Sequence, residues 1–93
     1  MTGKPKVALI AGVGEGLGRS LARRFAGEGY ATVLVARSAE RLARIADDIE
    51  AEGGRGVAYV ADLREENAVT KLFEDVEKEL GPIALAVFNT GAN

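Results

Sequence analysis

The sequence predicts a three-layer α/β domain built on a parallel sheet. Three observations carry this expectation. Short, unbroken apolar runs alternate with amphipathic segments, glycines or a Gly-Pro pair stand at four of the six junctions, and the alternation repeats with no linker or low-complexity stretch. An unbroken apolar run is what a strand buried on both faces requires, and parallel sheets covered by helices bury their strands that way.

The first run is Val7-Ala8-Leu9-Ile10-Ala11, which ends in Gly12. From Gly16 the period changes to that of a helix. Leu17, Leu21 and Phe25 recur every four residues opposite Arg19, Ser20, Arg23 and Arg24, which predicts an apolar stripe on those three residues. Gly29 is placed to end the helix in a left-handed cap. Ala31–Ala36 is the second strand. Ser38 is an N-cap candidate, Glu40 suits the positive end of the next helix, and Glu40 and Arg44 are spaced to pair. Leu42, Ile45, Ala46 and Ile49 give that helix its stripe, and Gly53-Gly54 stops it. Gly56–Ala61 is the third strand. Val69, Leu72, Phe73, Val76 and Leu80 mark the third helix, broken by Gly81-Pro82, and Ile83–Phe88 is the fourth strand.

The result is βαβαβαβ, a Rossmann-type plan with right-handed helical crossovers. Strands one to three step outward and strand four returns beside strand one, giving the order 3-2-1-4. The switch point then falls between strands one and four, and ligands bind beyond the carboxyl ends of strands at such a point. Gly12, Asn89 and Gly91 stand there.

At 93 residues the chain is read as one domain, residues 1–93, with no separate substrate domain. A net charge of −2 and a pI near 5.1 argue against nucleic acid or an anionic membrane as partner. With neither cysteine nor histidine, the sequence offers no disulfide, zinc-thiolate site, thiol nucleophile or imidazole base, and no metal site is expected. No apolar run approaches spanning length, and residues 1–6 lack a signal peptide's apolar core, so a cytoplasmic home is expected.

The turn Gly12-Val13-Gly14-Glu15-Gly16-Leu17-Gly18 joins a buried strand to a helix start. Unpaired amides and the helix dipole favour an anion there, and glycines let phosphates approach the backbone. Three registers compete. A Walker loop would need glycine at Val13, and G-x-G-x-x-G would need glycine at Leu17 or Arg19. G-x-x-x-G-x-G fits Gly12, Gly16 and Gly18. The glycines also suit close helix–sheet packing with no ligand at all.

That spacing resembles the short-chain dehydrogenase/reductase family, and the resemblance covers the whole chain. The family's pattern is T-G-x-x-x-G-x-G, with Ala11 here in place of threonine. Asp62-Leu63 stand where the family has an acid and an apolar residue facing the adenine, and Phe88-Asn89-Thr90-Gly91 align with its N-N-A-G segment. The resemblance implies that Gly12, Gly16, Leu17 and Gly18 hold a pyrophosphate and that Asn89 and Gly91 line the adenine-ribose side. Each has a plainer role open to it: Asp62 as an N-cap or loop carboxylate, Asn89 as a turn former.

Val35-Ala36-Arg37-Ser38 has no carboxylate where NAD-binding folds usually carry one for the ribose 2′-hydroxyl. Arg37 can pair with a 2′-phosphate and Ser38 can donate a hydroxyl, so NADP is expected ahead of NAD. The plainer role open to Arg37 is that of a solvated loop arginine. Glu15 stands where some NADP-dependent relatives carry a basic residue, and its charge opposes the phosphate.

By the same resemblance, the hydride-transfer residues are a serine and a Tyr-x-x-x-Lys pair beyond strand four. The tyrosines here, Tyr30 and Tyr59, have no lysine four residues on, so no catalytic residue is assigned. The chain is expected to be the N-terminal, cofactor-binding part of an oxidoreductase acting on a carbonyl or alcohol, truncated before the later strands. The whole enzyme is expected to be a homo-oligomer. Strand four would leave an apolar edge and the third helix alone would cover its face of the sheet, so the piece is expected to self-associate. A non-catalytic nucleotide sensor is the alternative, and an α/β packing module that binds no nucleotide is a third.

Overall fold

The computed structural model describes residues 6–12 and 17–88. Its elements are β1 (Val7–Ala11), α1 (Leu17–Gly27), β2 (Ala31–Ala36), α2 (Ala39–Ala51), β3 (Arg55–Val60), α3 (Glu66–Leu80) and β4 (Ile83–Phe88). Every strand pairing is parallel and the order is β3-β2-β1-β4, as the sequence predicts. β1 is buried throughout and β2 nearly so, whereas β3 and β4, at the edges, are only partly covered. Burial on both faces therefore belongs to the two central strands.

Side chains alternate across the sheet into two cores. Ile10 and Leu34 point to one face, where they meet Ala22 and Ala26 of α1 and Leu42, Ile45 and Ile49 of α2. Val7, Leu9, Val33 and Val35 point to the other, under Leu72 and Val76 of α3. The molecule is thus a sheet between a helix pair and a single helix.

The contact face of α1 differs from the expected stripe. Gly18, Ala22 and Ala26 are buried, whereas Leu21 and Phe25 are half-buried at the flank. The three small residues recur every four positions and let the helix backbone approach the sheet closely. The larger side chains cannot occupy that narrow gap and pack along its margin. Tyr30 closes the margin, its ring edge-on to Phe25 at 5.6 Å.

Both helix-capping expectations hold. Gly29 has φ 97°, and Tyr30 and Gly29 donate to the carbonyls of Phe25 and Ala26 at 3.1 and 3.0 Å, the paired bonds of a Schellman cap. Ser38 is the N-cap of α2, its Oγ accepting from the Arg41 amide at 3.2 Å. The expected Glu40–Arg44 pair does not form. Ion pairs to α1 are made instead by Asp48, with Arg19, and by Glu52, with Arg23.

β4 departs from uniform register. Val7 pairs with Ile83 but Ala8 pairs with Leu85, so one extra residue is accommodated at Ala84. This puts Ile83 on the α3 side and Val87 on the α1–α2 side, although they are four residues apart. The exposed positions of β4 are Ala84, Ala86 and Phe88. Among the described residues, the large exposed apolar side chains are Val60 and Phe88. Phe88 stacks on Phe73 of α3 at 6.3 Å between ring centroids.

Candidate functional site

Parallel strands deliver their carboxyl ends to one edge, so Gly12, Arg37-Ser38 and Asp62-Leu63 all leave the sheet together. The Gly12 amide donates to the Val35 carbonyl at 2.8 Å, extending the β1–β2 ladder one residue past the strand. Gly12 then turns the chain at φ 79°, a conformation that side-chain-bearing residues rarely adopt. It is exposed, whereas Gly18 is buried in the first turn of α1. Gly16, Asn89 and Gly91, and the side chain of Leu17, lie outside the described residues.

Arg37 is exposed at the end of β2 and makes no ion pair among the described residues. Next to it, the Ser38 oxygen accepts from α2, which leaves the hydroxyl hydrogen to donate outward. Cap and ligand donor are therefore compatible in one residue. No carboxylate stands between Ala36 and Ala39.

Asp62 is held in an Asx-type turn. Oδ1 accepts from the Arg64 amide at 3.1 Å and from Arg64 Nε at 3.0 Å, and Oδ2 accepts from Arg64 Nη2 at 2.9 Å. These bonds from Arg64 lower the Asp62 pKa to about 2, with the nearby positive charge of Arg37 adding to the effect. A carboxylate has about four acceptor positions, so one on Oδ2 is left. The Leu63 side chain packs into the core beneath α3, so only its main chain is placed to face the crevice.

Neither tyrosine is part of this edge. Tyr59 donates its hydroxyl to Asp75 of α3 at 2.6 Å, and that bond, with burial and the Asp75 charge, pushes its pKa up to about 12. The described residues contain no group of three or more carboxylates or other ligands placed to hold a metal ion. No described helix is long and apolar enough to cross a membrane.

Two features of the structure escaped the sequence reading. One is the Arg64 fork on Asp62. The other is a cleft of about 270 Å³ between α1 and α2, lined by Arg19, Arg41, Arg44, Ile45 and Asp48. The spacing of Arg41, Arg44 and Asp48 along one face of α2 was visible in the sequence. That α1 would set Arg19 opposite them was not.

A parallel sheet of order 3-2-1-4 with its loops gathered beyond the carboxyl ends defines a Rossmann-type domain. The chain belongs to the short chain dehydrogenase family, whose model matches residues 6–93. A short chain dehydrogenase of Pseudocercospora fijiensis is 37% identical over 82 residues, covering 88% of this chain and 26% of that protein. A variant of actinorhodin polyketide ketoreductase solved with NADPH superposes with TM-score 0.88 at 28% identity, over 95% of this chain and 34% of its own. A metagenomic short-chain oxidoreductase solved with NADP superposes with TM-score 0.85 at 28% identity, over 89% of this chain and 38% of its own. The chain spans only about a quarter to a third of the length of curated relatives that it matches.

Proposed function

We propose that residues 1–93 form the NADP-binding N-terminal half of a single Rossmann domain, in a dehydrogenase or reductase acting on a carbonyl or alcohol. The observation that carries the reading is the pair of outward donors at the end of β2. Arg37 is exposed, Ser38 keeps a hydroxyl hydrogen to give, and no acid accompanies them. A 2′-phosphate carries between one and two negative charges more than a hydroxyl, so this donor set suits it and leaves the NAD ribose without its usual acceptor.

The remaining residues fit the same ligand. Gly12 turns away from the sheet with no side chain in the crevice, and Gly16, Leu17 and Gly18 bring backbone amides to the pyrophosphate. Asp62 has one acceptor position left for an adenine amino group, with the Leu63 main chain beside it. Asn89 and Gly91 line the adenine-ribose side. When bound, the nicotinamide supplies hydride chemistry; these residues bind and orient the dinucleotide and carry no proton in the reaction. The solved neighbours that hold NADP or NADPH support the choice of cofactor.

Calorimetric titration of the full-length protein with NADP and NAD, repeated on Arg37→Asp, tests the assignment. A charge-assisted contact contributes about 1.5–3 kcal/mol, so the variant should lose NADP affinity by about tenfold or more and keep that for NAD. Unchanged NADP affinity in Arg37→Asp overturns it.

A further inference from the structure

We propose that Arg64 is a positioning residue for cofactor choice: by holding the Asp62 carboxylate, it keeps that acid from opposing the 2′-phosphate at Arg37. This rests on the NADP reading above, and it assigns specificity to a residue outside the phosphate contact.

The sheet brings the acid to the arginine. Ala36 of β2 pairs with Val60 of β3, and the Ala61 amide donates to the Ala36 carbonyl at 3.0 Å. The ladder thus runs one residue past β3, and Arg37 and Asp62 leave neighbouring strands one step out of level. Paired strands lie about 4.8 Å apart, inside the roughly 8 Å over which physiological salt screens exposed charges. The Arg37 charge is accordingly felt at Asp62, adding to the larger effect of Arg64. Yet the two form no ion pair: among the described residues, the cation on Asp62 is Arg64.

An acid in that place works against a 2′-phosphate in two ways. It has the same sign as the phosphate, and it competes for the same guanidinium. Arg64 answers both. Its amide, Nε and Nη2 occupy three of the roughly four acceptor positions of the carboxylate, at 3.1, 3.0 and 2.9 Å. With both oxygens engaged, the acid cannot turn to Arg37 without breaking a two-pronged fork. The charge count agrees. Arg37, Asp62 and Arg64 are two cations and one anion, a net of one positive charge, and without Arg64 the net is zero. Arg64 keeps 75% of its side chain in solvent, so packing gives no reason for its place, and an ion pair that exposed adds little to stability.

The test compares 2′,5′-ADP with 5′-AMP, which differ only in the 2′-phosphate, by calorimetry on the full-length protein. The readout is the ratio of the two affinities, which neither a loss of folded protein nor a weaker adenine contact moves. Arg64→Ala should lower that ratio by about tenfold. Adding Asp62→Asn to Arg64→Ala should restore it, because the opposing charge is then gone. A ratio unchanged in Arg64→Ala overturns the inference and leaves the NADP reading standing. A ratio lost in Arg64→Ala and not restored by Asp62→Asn overturns it too, since Arg64 then acts by a route other than Asp62. If the wild type does not distinguish the two ligands, the NADP reading itself fails, and the inference with it.

Discussion

Arg64 grips the carboxylate of Asp62, two residues before it, through both side-chain oxygens, at 3.0 and 2.9 Å. The acid at the end of β3 therefore enters the crevice with its charge largely answered by its own loop. It can accept from a base without presenting a bare negative charge to a phosphate near Arg37. The same fork fixes the carboxylate plane, since the Arg64 amide also donates to Oδ1.

Arg64→Ala should release the Asp62 pKa from about 2 towards 3.8, the ordinary value. A folded-state pKa below the unfolded one stabilises the fold above the unfolded value, and this contribution is lost as pH falls through the folded value. The contribution of Asp62 is thus full above about pH 4 and fades towards pH 2. Carboxyl carbon NMR titration follows the shift directly. An Asp62 midpoint unchanged in the variant contradicts the fork.

Tyr59 and Asp75 tie the edge strand β3 to α3. Their bond favours the neutral phenol and the charged carboxylate together, raising the one pKa and lowering the other. For Tyr59 the stabilisation is present below pH 10 and disappears as the pH rises to about 12. Ultraviolet titration should show one tyrosine ionising near pH 12. Asp75→Asn should bring that step down towards 10.

Gly12 and Gly56 both disfavour a bulky side chain, for different reasons. At φ 79°, Gly12→Val forces a β-branched residue into left-handed backbone, at a cost of about 1–3 kcal/mol, and also distorts the crevice. At Gly56 a Cβ would lie 3.2 Å from Ala46 Cα of α2, so Gly56→Val overpacks the helix–sheet contact, again by about 1–3 kcal/mol. Denaturant unfolding should show both losses. Dinucleotide affinity, measured where each variant is folded, should fall in Gly12→Val alone.

The strand order was legible because β1, and β2 apart from Thr32, are apolar on both faces, between Lys6 and Gly12 and between Tyr30 and Arg37. Edges were less so. β3 begins at Arg55 rather than Gly56, because its backbone pairs with Ala31 while its side chain stays in solvent, and hydrophobic patterning follows side chains. The first turn of α3, from Glu66, is polar and shows no stripe. In α1, residue size misled: Leu21 and Phe25 are the conspicuous apolar residues, yet close approach selects Gly18, Ala22 and Ala26. Arg37, Ser38 and Asp62 could be placed because each follows a strand directly. Arg64 and the α1–α2 cleft depend on turn geometry and helix packing, which spacing alone does not fix.

The central claim, that Arg37 holds a 2′-phosphate at the end of β2, is tested most directly by phosphorus NMR of NADP bound to the full-length protein. Free phosphate monoesters take their second proton near pH 6. The account predicts that the bound 2′-phosphate resonance titrates well below that value, because Arg37 favours the dianion, and that Arg37→Ala returns it towards the free midpoint. A bound 2′-phosphate that titrates as in free solution, with only the pyrophosphate resonances shifted, would contradict the account.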